Sequence, residues 1–225
     1  MQSSGTRRKR PRQSENSQRG KCVPRSRRPP ADVFLNIPYD NQYQDLCLAY
    51  ICGITAFGFF PRATLEIPGG SRRLDRIFNL IQDCRFSVHD LSRVELDKKR
   101  PPTPRFNMPF ELGLSVAWAR IGNNKHTWYV FERQAHRLMK SLSDLNGTDE
   151  HIHGGTINGV FRELCSAFVR PGRQPSVQQM GKIYREVEMQ LPVILRRAGA
   201  KSIFNARVFK DICVIAIASS GMNVR

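Results

Sequence analysis

Glu111 sits in the run Phe106-Asn107-Met108-Pro109-Phe110-Glu111-Leu112-Gly113, whose other members are mostly apolar or small. A carboxylate in such surroundings can stabilise or capture an electron-poor carbon. It can equally complement the positive end of a helix, because Pro109 is of the type that opens a first helical turn. A second acid, Asp90, falls in His89-Asp90-Leu91-Ser92, where a strand is expected to end, and both acids are expected to face one crevice. Other polar residues at or near expected strand ends are Asn36, Tyr39, Asp40, Arg62 and Glu66, and Asn107 opens the same helix as Glu111. The run Gly69-Gly70-Ser71-Arg72-Arg73 opens a helix with free backbone N–H groups and two guanidinium groups, a combination suited to phosphate and also found in ordinary turns.

These residues need elements to hold them. Val33-Phe34-Leu35-Asn36-Ile37 reads as a buried first strand. Tyr43, Leu46, Cys47, Tyr50, Ile51 and Ile54 recur at helical spacing, and Gly58 closes that helix. Phe59 to Leu65, Arg85 to Val88 and His126 to Phe131 read as further strands, with helices at Arg72 to Gln82 and Pro109 to Ala119 between them. Alternation of this kind predicts an α/β fold: an open parallel sheet of four to five strands with helices on both faces. Ligands of such sheets bind beyond the carboxyl ends of the strands. Helices are expected at Ile157 to Val169, Val177 to Arg197 and Asn205 to Ala218, with Pro192 breaking or kinking the middle one. Residues 31–170 are thus expected to form the α/β domain and 175–225 a helical appendage.

Composition adds bounds. The chain of 225 residues carries a net charge of +17. Residues 1–30 hold ten Lys or Arg against Glu15, which leaves +8 for the rest. That stretch has almost no aliphatic residues, so it is expected to be a disordered basic tail. Its run RRKRPR suits nonspecific nucleic-acid attraction or a nuclear address in a eukaryote. No apolar run reaches the roughly 20 residues that cross a bilayer, and no apolar stretch follows the charges as in a secretory signal. A cytoplasmic protein with reduced thiols is expected, since its six cysteines lack CxxC pairs. His151 and His153 could chelate a metal, but no ligand partners stand nearby and a loop is the expected reading, with no metal site and no cofactor. P-loop, serine hydrolase elbow and zincin motifs are absent.

The segment from Asp32 to Phe131 resembles the Rossmann-like superfamily of Toll/interleukin-1 receptor (TIR) domains and nucleoside 2-deoxyribosyltransferases. VFLNIPYDNQY is similar to the first TIR strand and its polar loop. FELGLSVAWAR resembles the transferase helix that carries the nucleophilic Glu. VHDLSRVELD followed by PRFNMPFELG also resembles a bacterial group of uncharacterised proteins. The resemblance covers about 100 residues. It implies that Glu111 acts on the anomeric carbon of a ribosyl or deoxyribosyl group in NAD or a nucleoside, and that Tyr39 and Asp40 contact sugar or base. By analogy with two-carboxylate glycosidases, Asp90 is then the candidate to protonate the leaving base. The chain departs from the pattern in having Arg105, Phe106, Asn107 and Met108 where transferases present an acid before the Glu. Many TIR-like enzymes assemble to complete their sites, so a homo-oligomer is expected, and bacterial relatives imply a role in defence or stress signalling. Two further readings stand beside this one: a nucleotide-sensing module without turnover, and a nucleic-acid-binding protein that acts through its tail.

Overall fold

The computed structural model describes residues 31–66, 72–97, 100–121, 126–169 and 174–221. The basic tail, Gly69, Gly70 and Ser71 lie outside them. The expected apolar runs become β1 (Asp32–Asn36), β2 (Phe60–Ala63), β3 (Phe86–Asp90) and β4 (Thr127–Glu132). A fifth strand, β5 (Glu150–Ile152), completes a wholly parallel sheet of order β2-β1-β3-β4-β5. That short strand includes His151, where a loop is expected from the sequence. β1 lies between β2 and β3, so the chain leaves neighbouring strands toward opposite sides, and a crevice opens where they end.

Alternation along the strands divides the core into two faces. On one, Val33, Leu35 and Val88 pack against α1 (Gln44–Ala56) and its neighbours α5 (Ile157–Ala167), α6 (Val177–Ala198) and α7 (Ala206–Ser219). On the other, Phe34 meets Ile77, Leu80 and Ile81 of α2 (Arg73–Asp83), with Leu114 and Trp118 of α3 (Asn107–Ile121) beside them. Val130 packs with Met108 and Leu112 of α3 and Leu138 of α4 (Arg137–Ser141).

Every residue of α1 from Leu46 to Thr55 is buried. Its sequence, QDLCLAYICGITA, is apolar around the whole circumference, and such a helix needs cover on every side. The sheet covers one side, while α6 and α7 cover the other. Residues 175–221, expected as an appendage, therefore share the core of the sheet: Met180, Val187, Val208, Ile212 and Ala216 are all buried in it. α6 opens with a reciprocal capping box between Ser176 and Gln179 and closes at Gly199, in the left-handed region at φ 61°. The expected break at Pro192 does not occur. Pro192 lies on the exposed side of α6, where a proline ring meets solvent.

Cys47, Cys52, Cys84 and Cys213 are buried free thiols, and burial pushes Cys47 up to about 12. Among the described residues no helix is long and apolar enough to cross a membrane.

Candidate functional site

α3 begins at Asn107, two residues earlier than expected, so Glu111 is its fifth residue and lies beyond the first turn. The helix dipole acts within that first turn, and the capping explanation of this carboxylate lapses. Glu111 is 7% exposed and lines a cavity of about 260 Å³ with Asn36, Ile37, Tyr39, Thr64, Arg73, Arg105, Asn107 and Met108. The cavity stands at the ends of β1 and β2, under the first turns of α3. Burial pushes the Glu111 carboxyl up from its usual 4.5 to about 7, and the positive charge of Arg73 pulls it partly back. No hydrogen bond from a described residue reaches the Glu111 oxygens. The group is desolvated and, among the described residues, has no hydrogen-bond partner.

Asn36, the last residue of β1, is held by a chain of hydrogen bonds beneath α3. Its Nδ2 donates to Met108 O and to His89 Nδ1, both at 2.8 Å. The carbonyl partner fixes which amide atom is nitrogen. His89 Nδ1 is therefore an acceptor, and its Nε2–H donates to Ser87 Oγ at 2.8 Å. Ser87 Oγ–H then donates to His126 Nε2 at 2.9 Å, and His126 Nδ1–H donates to Cys84 O at 2.8 Å. Every proton in the chain has one consistent place, with both rings neutral. Burial agrees, pushing His89 down to about 3 and His126 below its usual value.

The structure separates the two candidate acids. His89 and Asp90 are successive strand residues, so their side chains leave the sheet on opposite faces. His89 faces α3, whereas Asp90 faces α1 and is fully buried. Its Oδ2 accepts from the hydroxyls of Tyr43 and Tyr50, the latter at 2.7 Å, and lies 3.1 Å from His153 Nε2. Its Oδ1 accepts from Ser92 N–H at 2.9 Å. Gly155 N–H donates to His153 Nδ1 at 3.0 Å, so that ring carries its proton on Nε2, which lies 3.0 Å from Ser92 Oγ and against Asp90. Although the carboxylate is desolvated, its close electrostatic contact with His153 and then the hydrogen bonds from Ser92 and Tyr43 hold it below its usual value. The expectation that Asp90 shares a crevice with Glu111 and donates a proton there is corrected. It is an ionised, saturated carboxylate on the far side of the sheet.

The other expected site residues divide similarly. Asn36, Tyr39, Asn107 and Arg73 line the cavity with Glu111, and the Tyr39 hydroxyl lies 3.0 Å from Thr64 Oγ1. Asp40 does not line it. Its Oδ2 bridges Arg93 at 3.4 Å and Arg105 at 3.2 Å, which holds Arg105 at the cavity wall. Arg62 is spent at the sheet edge on Asp32 at 2.8 Å and Glu66 at 3.0 Å. Arg72 is exposed and outside the cavity, and the three small residues before it lie outside the described residues. His151 and His153 serve different partners, Glu163 and the Asp90 cluster. Arg105 and Thr64 as lining residues and the roles of Ser87 and His126 are not read from the sequence, and His89, expected to anchor the loop or tune Asp90, instead orients Asn36. A polar residue at every second position of Phe86-Ser87-Val88-His89, inside a buried strand, is the signal that points to such a chain.

No protein-family model matches this chain, and no curated protein or solved structure matches it.

Proposed function

We propose that this chain is a nucleotide-processing α/β domain that cleaves or exchanges the N-glycosidic bond of NAD or a nucleoside through Glu111. The observation that carries the reading is the buried, unpartnered Glu111 carboxylate on the wall of a cavity at the carboxyl end of the sheet. Rupture of the C1′–N bond sends its electron pair to the base and leaves positive charge on the sugar carbon. Glu111 stabilises that charge or donates an electron pair to C1′, and water or a second base then displaces it. With its carboxyl shifted to about 7, Glu111 is about half ionised at neutral pH.

The absence of Asp90 from the cavity favours leaving groups that need no protonation, such as nicotinamide. It also favours the second reading, a module that binds a nucleotide without turning it over. The test is chromatographic release of base or nicotinamide by concentrated protein from NAD and a panel of nucleosides, beside Glu111→Gln. Release that disappears in the variant supports turnover. A nucleotide-dependent rise in melting temperature without release moves the assignment to the sensing module.

A further inference from the structure

The polarity of the cavity wall restricts what sugar it can hold. Both N–H groups of the Asn36 amide are committed, to Met108 O and to His89 Nδ1, and its Oδ1 has no hydrogen-bond partner among the described residues. Asn36 is 3% exposed and is part of the cavity wall, so that oxygen is an acceptor left for a ligand. The hydrogen-bond chain through His89, Ser87 and His126 prevents the amide from reversing, because a turned amide would set its oxygen against two acceptors. Glu111 supplies acceptors alone when ionised. Asn36 is bonded to the carbonyl of Met108, three residues before Glu111 in α3, and both acceptors stand on the wall of the same cavity of about 260 Å³. A ligand that turns an electron-poor carbon to Glu111 can satisfy Asn36 with a donor on a neighbouring atom.

We infer that Asn36 accepts a hydrogen bond from the 2-hydroxyl of the sugar, so that the cavity selects ribose over 2-deoxyribose. The inference rests on the reading of Glu111 as the group that meets the anomeric carbon, since the 2-hydroxyl is the hydroxyl next to that carbon. A 2-deoxy sugar leaves Asn36 Oδ1 buried and unpaired, and sites built to bond a hydroxyl discriminate strongly against ligands that lack it. Arg73, exposed at the cavity, and Arg105, held at its wall by Asp40, put positive charge where a sugar phosphate would enter. Ribose 5-phosphate and 2-deoxyribose 5-phosphate are therefore the matched probes.

Calorimetric titration of the full chain with each is the experiment. Ribose 5-phosphate is expected to bind at least about tenfold more tightly. Equal affinities, tighter binding of the deoxy sugar, or no binding of either would overturn the inference. In Asn36→Leu the preference is expected to fall to near unity, and a folded variant that keeps it would equally overturn it. Should that variant fail to fold, the comparison on the unaltered chain still decides. The two readings fail separately. Preference for ribose 5-phosphate without base release from any nucleotide removes the glycosidic activity alone. Equal release from ribonucleotides and 2-deoxyribonucleotides removes the selectivity alone.

Discussion

Asp90→Asn keeps the shape of the side chain and removes its charge, which makes it a direct probe of the buried cluster facing α1. The carboxylate accepts from Tyr43, Tyr50 and the Ser92 N–H and lies against the N–H of His153, and each of these is a donor. An amide has one acceptor oxygen. If that oxygen takes the Oδ2 place, the NH₂ group meets the Ser92 N–H, and if it takes the Oδ1 place, the NH₂ group meets three donors. In the better case one hydrogen bond is lost, one buried N–H is orphaned at about 1–3 kcal/mol, and three bonds fall from about 1.5–3 kcal/mol toward about 1 kcal/mol each. With partial relaxation, a loss of about 3–5 kcal/mol is expected, a large share of a typical domain's stability. Urea denaturation of both proteins between pH 7 and pH 3 measures it. Because Asp90 is held below its usual value of 3.8, its contribution is complete above the unfolded value and is lost as pH falls through the folded one. The gap between the two proteins should therefore stay constant from pH 7 to 5 and narrow only below about pH 4. A loss under about 1 kcal/mol, or a gap that closes above pH 5, would show that Asp90 is neutral in the fold and refute the assignment.

Glu111 should behave in the opposite sense. Its folded value is raised from 4.5 to about 7, so the folded state loses stability as pH rises between those values. Glu111→Gln should then be more stable than the parent at pH 8 by up to about 3 kcal/mol, read as a higher melting temperature. If the ionised form acts on the sugar, release of base should rise with pH through about 7 and level off above it. Long-range ¹H–¹⁵N NMR should find His89 protonated on Nε2 and His126 on Nδ1; the reverse pair would contradict the proton order that fixes Asn36. Gly159→Ala brings a Cβ against His153 O at the start of α5, where backbone must move, and should cost about 3 kcal/mol or more in urea denaturation.

Much of this was legible in the chain because its signals are local. Strands β1 and β4 are compact β-branched and aromatic runs, and Glu111 stands out as the one charged residue among apolar or small neighbours. The role of Asp90 does not follow from its nearness to a strand end, because the alternation of His89 and Asp90 decides which face each one serves. β5 escaped notice because three residues carry too little periodicity. α1 was read as amphipathic from one stripe of Leu, Ile and Tyr, while Ala49, Cys52, Gly53 and Thr55 on its other side were equally ready to be covered. What covers them lies far along the chain, where no local pattern points to them.

That distance shapes how the molecule can be made. α1 and α7 are separated by about 150 residues, yet each forms part of the other's burial. A ribosome at a typical pace of about 5–20 residues per second emits the partner several seconds or more after α1 has emerged. During that interval the apolar circumference of α1 has only one of its two shelters, so the nascent chain exposes an aggregation-prone surface. A fragment cut near residue 170 would remain permanently in that state, sticky and prone to precipitate, however complete its sheet.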